Sequence, residues 1–318
     1  MPVLVLGRVY LAYRRTVMMT SDMGLTNRFL IWLILLLLLS GCASRRKEKQ
    51  TSHFALRQAL TLHAGFDEQV DADFAVGDPR IYTAASMAHR ETAELGLRTE
   101  NAVIPAEDKG RFGDALRFVR KIDEVVLFRG KDNFSYQNQK WSGTVSFWLS
   151  LDPNRDLEPG FSDPIQITPR KWNDGAMFVE FTKDERPRHF RLGLYPDGAI
   201  WNPQNMNWNE MSLDEKPLAV VVNPPFSRGK WTHVAFTFQN FNTVKPDGIA
   251  KLYLNGELAS ELSPRIQTYT WDINRTDIMI GLSYVGLFDE LTLFNRALAP
   301  LEIRTLYKLK NGMGPLVQ

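Results

Sequence analysis

Three kinds of side chain in this sequence could do chemistry: carboxylates, histidines, and tryptophans set among amides. Paired carboxylates can divide acid and base roles in hydrolysis, and a retaining pair needs about 5–5.5 Å between them. The nearest local match to such a pair is Asp289-Glu290 in FDELT, which lacks flanking carboxylates; Asp184-Glu185 in FTKDE, and Asp71-Ala72-Asp73 with Asp78, are further acidic groups. The last two groups sit in turn-like surroundings, and Glu180 faces away from Met177 and Val179 on the same run. His63, His89, His189 and His233 have no Ser or Cys near them arranged as a nucleophile elbow. The tryptophans offer a different chemistry. Trp172 stands in Lys171-Trp172-Asn173-Asp174, and Trp201 and Trp208 stand in GAIWNPQNMNWNEMSLDEKP at 198–217. An indole face can stack on a sugar ring while neighbouring amides meet its hydroxyls, so these three are the carbohydrate-binding candidates. The competing role is to hold long loops onto the body. Trp148, Trp231 and Trp271 read as packing residues, and Arg186-Pro187-Arg188-His189 as a short basic surface turn without phosphate-cradle spacing.

Cys42 is the single cysteine, which excludes a disulfide framework and a cysteine-rich zinc site. It follows FLIWLILLLLL at 29–39, an apolar run of eleven flanked by Arg28. Such a run is too short to span a bilayer, which takes about 20 residues, but it has the length of a secretion-signal core. Leu39-Ser40-Gly41-Cys42 then resembles a bacterial lipobox. That resemblance implies removal of residues 1–41 and a diacylglycerol thioether on Cys42, with enough acyl chains for stable attachment. The second apolar patch, VLVLGRVYLAY, is awkward for a signal, so Met23, or Met18 or Met19, is the expected true start. Residues 42–54 read as the lipidated cysteine and a charged, solvated tether. Ser44 resembles the residue found at that place in lipoproteins that leave the inner membrane. The expected location is the cell envelope, extracytoplasmic, on the periplasmic or outer-membrane face.

Strands must position whatever site exists. Of 318 residues, 44% are hydrophobic and 23% charged, which suits a packed core rather than a disordered or polytopic membrane chain. Residues 1–41 hold four arginines and one aspartate, so the remainder carries 34 bases against 35 acids and offers nucleic acid no footprint. GTVSFWLSL (143–151), MFVEFT (177–182), FRLGLY (190–195) and WTHVAFTF (231–238) all alternate with period two. IAKLYLNGELAS (249–260) centres on Asn255-Gly256, a type I′ hairpin signal. Helical spacing is confined to Pro300–Lys308, with Gly312 beyond it, and a second brief stretch at 84–98. No linker interrupts 55–312, so one domain is expected there, with 313–318 as a tail.

The order of these motifs carries a family resemblance. HAGFDEQVDADFAVGD (63–78), GRFGDALRF (110–118), GTVSFWLSL, RGKWTHVAFTF (228–238), KLYLNGELAS (251–260) and IGLSYVGLFDELTLFNRALAPLEIRTLY (280–307) follow one another as in a LamG-like domain of the concanavalin A-like lectin/glucanase superfamily. The resemblance implies an all-β fold, a β-sandwich or jelly roll of two antiparallel sheets with neighbouring first and last strands and one short C-terminal helix. Hydrolases of this fold carry Glu-x-Asp-x-x-Glu, which this sequence lacks. The resemblance also implies a rim calcium ion, a hard cation with oxygen ligands, for which Asp67 and Asp289 match the family positions. The competing roles are a strand end for Asp67 and acceptance of backbone N–H for Asp289, whose strand parity with Leu287, Leu291 and Leu293 points it inward. The expected function is a membrane-anchored binding or adhesion module for polysaccharide or an envelope partner. The alternatives are a glycoside hydrolase or lyase with a dispersed active site, and a structural envelope protein without a small ligand. Inward acids on a concave sheet would favour the enzyme, and a groove lined by the three tryptophans would favour the lectin.

Overall fold

The computed structural model describes residues 52–317. One compact unit runs from Ala55 to Gln318, and it is built almost wholly of antiparallel strands. One sheet contains β1 (Leu60–Ala64), β2 (Phe74–Ala75), β5 (Val103–Ala106), β6 (Ala115–Phe118), β8 (Trp141–Ser150), β13 (Thr232–Phe241), β14 (Gly248–Leu254), β15 (Glu257–Arg265) and β17 (Gly286–Phe294). Its order is β15-β14-β13-β8-β17-β1-β2, with β6 also bonded to β17 and β5 to β6. The other sheet contains β3 (Ile81–Ala84), β4 (Glu94–Leu95), β7 (Val125–Arg129), β9 (Ser162–Thr168), β10 (Ala176–Phe181), β11 (Phe190–Tyr195), β12 (Leu218–Val221) and β16 (Asp277–Leu282), in the order β12-β11-β10-β9-β16-β7-β3-β4. The first and last strands are neighbours, with Leu60 opposite Phe294. The molecule is the two-sheet antiparallel sandwich that the alternating runs called for.

Those runs supply the core. Val145, Phe147 and Leu149 of β8 and Val234, Phe236 and Phe238 of β13 meet Met177, Val179 and Phe181 of β10 and Phe190, Leu192 and Leu194 of β11, all buried between the sheets. Asn255 and Gly256 turn the β14–β15 hairpin with φ of 51° and 80°, as a type I′ turn requires. The Pro300–Tyr307 helix lays Ile303 and Leu306 on the outer face of the first sheet, against Ala235, Tyr253 and Phe294. Its first turn is held by Glu302, whose Oε2 accepts from Ala299 N at 2.9 Å. Residues 313–317 are more than a tail: Met313 is buried in this same cluster. No helix among the described residues is long and apolar enough to cross a membrane.

Two local readings are corrected. The 84–98 stretch forms only a 3-10 turn, Met87–Thr92, because β3 takes Glu94 and Leu95 as a partner strand. Arg90 leans instead onto the sheet, donating to Thr168 O and Arg170 O. The Arg186–His189 segment is not wholly on the surface. Arg188 is buried, and its guanidinium donates to Gly160 O at 2.7 Å, Glu158 O at 2.8 Å, Thr182 O at 3.0 Å and Leu157 O at 3.4 Å.

Candidate functional site

β11 ends at Tyr195, which is 1% exposed on the outer face of the eight-stranded sheet. The chain then turns through Pro196-Asp197-Gly198, and two contacts fix its course. Asp174 Oδ1 accepts from Gly198 N at 2.9 Å, and Trp201 Nε1 donates to Asn173 O at 2.9 Å. Asp197 accepts from Thr270 Oγ1 at 2.6 Å and pairs with Arg170. The sequence-selected tryptophans are thereby brought together around Tyr195, with ring centroids 5.8 Å away for Trp172, 5.0 Å for Trp201 and 5.8 Å for Trp208. Trp172 and Trp208 meet edge to face at 6.1 Å. Beneath them Phe178 stacks on Tyr195 at 5.4 Å.

The three indoles are not equivalent. Trp201 is half-buried and tied down through its N–H. Trp208 carries Lys216 Nζ 4.4 Å from its ring centroid, a cation–π contact that occupies one face. Trp172 is 48% exposed, the only tryptophan among the described residues that ranks as exposed. Around them the amides divide in two. Asn202 closes its own loop through Met206 N and O, whereas the side chains of Gln204, Asn205 and Asn209 are exposed and without a hydrogen-bond partner among the described residues. A cleft of about 180 Å³ lined by Trp201, Asn202, Gln204, Met206, Met211 and Glu215 adjoins the cluster. A larger cleft, about 270 Å³, opens beside the Pro300–Tyr307 helix between Tyr253, Lys251 and the Arg296–Glu302 ion pair, with no exposed aromatic platform.

Asp289 lies elsewhere and points otherwise than its parity implied. Between Asp289 and Thr292 the register of β17 against β8 shifts, and Glu290 adopts a φ of 57°. At this bulge β17 exchanges β6 for β1 as its neighbour. Phe288 and Leu291 therefore both face the core, while Asp289 and Glu290 leave it. Asp289 Oδ2 accepts from Arg111 N at 2.6 Å and Phe112 N at 3.3 Å, and Asp67 Oδ1 accepts from Asp114 N at 2.9 Å. The two carboxylates thus fasten opposite ends of one loop. Burial pushes the Asp289 carboxyl well up, and its remaining oxygen, Oδ1, has no partner. A calcium ion needs six to eight oxygens, and among the described residues no group of three or more His, Cys, Asp or Glu is arranged to hold a metal. Asp67 and Asp289 each give one oxygen to backbone N–H groups, and Asp289 Oδ1 has no hydrogen-bond partner.

Three polar pairs have no local signature in the sequence. Ser146 Oγ lies 2.8 Å from His233 Nε2, joining neighbouring strands 87 residues apart in the chain. The pair is sealed beneath Trp148 and Tyr307, and burial holds His233 down at about 3, so it is neutral and out of reach of substrate. His63, held at about 4 by burial, meets Thr292 Oγ1 at 3.1 Å and lies 3.9 Å from both Asp73 and Glu290. On the other sheet, Glu180 pairs with Arg191, and Asp163 stands near enough to feel both charges. Burial raises both carboxyls. Phe161 covers Arg191 at 5.2 Å, so this group forms a capped ion pair rather than an open acid pair.

A family profile described as the concanavalin A-like lectin/glucanases superfamily matches residues 123–304. Among solved structures, domain 4 of AbnA, an extracellular arabinanase from Geobacillus stearothermophilus in complex with arabinotriose, is 18% identical, with a TM-score of 0.42 over 79% of this chain and 98% of that one. A mutant of a domain called HCR/D is 13% identical, with a TM-score of 0.50 over 80% and 53%. The botulinum neurotoxin serotype D ligand binding domain, in complex with N-acetylneuraminic acid, is 11% identical, with a TM-score of 0.47 over 81% and 52%. The chain spans about half the length of these last two. No curated protein sequence matches it. With the profile covering more than half of its length and both sheets in place, the chain belongs to the concanavalin A-like lectin/glucanases superfamily.

Proposed function

We propose that this chain is an extracytoplasmic glycan-binding module, held to a membrane by lipid on Cys42, with Trp172 as its stacking platform. The observation that carries the reading is the half-exposed Trp172 indole, braced on buried Tyr195 and flanked by Trp208 and a loop of free amides. An aromatic face at this exposure keeps apolar surface in water, about 25 cal/mol for each Å² that a sugar's C–H face could cover. Membership of a superfamily that contains lectins and glucanases agrees with this, though fold alone assigns no ligand. The capped Glu180–Arg191 pair gives the hydrolase reading no open acid to work with.

The test is a polysaccharide pull-down with the full, detergent-solubilised chain beside Trp172→Ala. We expect wild type to be retained on at least one polymer and Trp172→Ala to lose tenfold or more in affinity, with an unchanged far-ultraviolet spectrum. Equal retention of both proteins would sink the platform. The anchor, whose residues lie outside those described, is tested by mass spectrometry of the mature product from wild type and Cys42→Ser. An unlipidated Cys42 in wild type would end that part of the proposal.

A further inference from the structure

We infer that the Trp172 corner selects uncharged oligosaccharides and turns away acidic sugars, an inference that rests on the glycan-binding reading above. An acidic sugar brings a carboxylate that must exchange water for a cation or a set of N–H donors. The basic groups around the tryptophans are already engaged. Arg170 pairs with Asp197 and lies 3.6 Å from Asp174. Lys216 sits on the Trp208 ring. Arg265 donates to the carbonyl oxygens of Asp214 at 3.0 Å and Lys216 at 3.2 Å. Lys171, next to Trp172, is exposed and makes no salt bridge among the described residues.

Opposing it, the 198–217 loop exposes Glu210, Asp214 and Glu215. Glu215 is held by Ser212 N and Oγ, while Glu210 and Asp214 make no salt bridge among the described residues, although Arg265 lies close enough to feel the Asp214 charge. At ordinary ionic strength such charges act over a Debye length of about 8–10 Å, comparable to one or two sugar rings. The groups left free to bind are the Trp172 face and the amides of Gln204, Asn205 and Asn209. Amides donate to and accept from hydroxyls. Stacking surface plus neutral amides, beside a loop that exposes three carboxylates, matches a hydroxyl-rich neutral chain.

The experiment is affinity electrophoresis of the full chain, detergent-solubilised, through gels containing neutral polymers (arabinan, mannan, laminarin) or uronic-acid polymers (polygalacturonate, alginate), at 20 and 300 mM salt. We expect at least one neutral polymer to retard wild type at both salt levels, and Trp172→Ala to abolish that retardation. The uronic-acid polymers should fail against wild type. The double variant Glu210→Gln/Asp214→Asn should gain detectable retardation by an acidic polymer at 20 mM salt. Retardation of wild type by an acidic polymer, lost in Trp172→Ala, would overturn the charge selection and leave the glycan site standing. Failure of the double variant to gain an acidic polymer would likewise overturn the selection. Retardation by no polymer of either kind would overturn both readings.

Discussion

His233 shows at the scale of one residue how burial is converted into pH dependence. In the unfolded chain its imidazole titrates near 6.5; in the fold, burial holds it at about 3. Protons therefore bind the unfolded chain first as pH falls below 6.5, and stability present above that value is lost progressively toward pH 3. For one such histidine the slope approaches about 1.4 kcal/mol per pH unit. His63, held at about 4, acts in the same direction. Glu290 acts oppositely: burial raises it to about 7, so its contribution is full below 4.5 and is lost as pH rises through 7. Asp289, Asp163 and Glu180, also raised by burial, oppose the acid loss from the histidines as Glu290 does. The readout is therefore the difference between proteins: His233→Gln should lose less in urea midpoint than wild type between pH 6.5 and 4. An equal loss in that variant would refute the assignment. The Ser146–His233 pair was illegible in sequence because its partners are distant in the chain and meet only through strand pairing. The direction of Asp289 was misread for a different reason: parity assumes an unbroken strand, and the bulge at Glu290 gives no composition signal. With Asp289 and Asp67 already accepting backbone N–H groups, millimolar calcium or EDTA should move the melting temperature by less than about 1 °C, since a cation stabilises a fold only in proportion to its binding. A calcium-dependent rise of several degrees would contradict this.

The elements that were easiest to read are those whose two faces differ. β8, β10, β11 and β13 each send every second residue into the core, so their alternation announced them. The tryptophan loops were legible only in composition. The sequence marked Trp172, Trp201 and Trp208 as related in chemistry, but nothing in it said that all three rest on Tyr195. That convergence depends on β10 and β11 pairing so that Phe178 lies opposite Gly193. The Phe178 ring covers this glycine: a Cβ added to Gly193 would stand 2.3 Å from Phe178 Cζ. Gly193→Ala must therefore displace the ring that Tyr195 stacks upon. Overpacking of this kind typically costs about 1–3 kcal/mol. We expect a lower melting temperature, a changed near-ultraviolet spectrum from the tryptophan cluster, and weaker retention on any polymer that wild type binds. A variant with wild-type stability and near-ultraviolet signal would show that Phe178 has room to move.

For the molecule as a whole, six motifs in the order of a LamG-like domain foretold a two-sheet sandwich with neighbouring first and last strands, because that order is what the resemblance implies. The position of β17 has a consequence for how the chain comes to be folded. It is the last of the described strands in chain order, yet it stands mid-sheet, bonded to β8 on one side and to β6 and β1 on the other. A nascent chain emerging from the ribosome at about 5–20 residues per second has no centre for that sheet until Gly286–Phe294 has appeared. Until then β1 and β8 lack the strand that joins them, and the polypeptide stays open to a protease. Pairing of such distant segments is slow, commonly milliseconds to seconds for all-β topologies. Released chains ending at Val285 should be digested readily, and released chains extended past Tyr307 should resist. Resistance in the shorter set would mean that the sandwich can assemble around an empty middle.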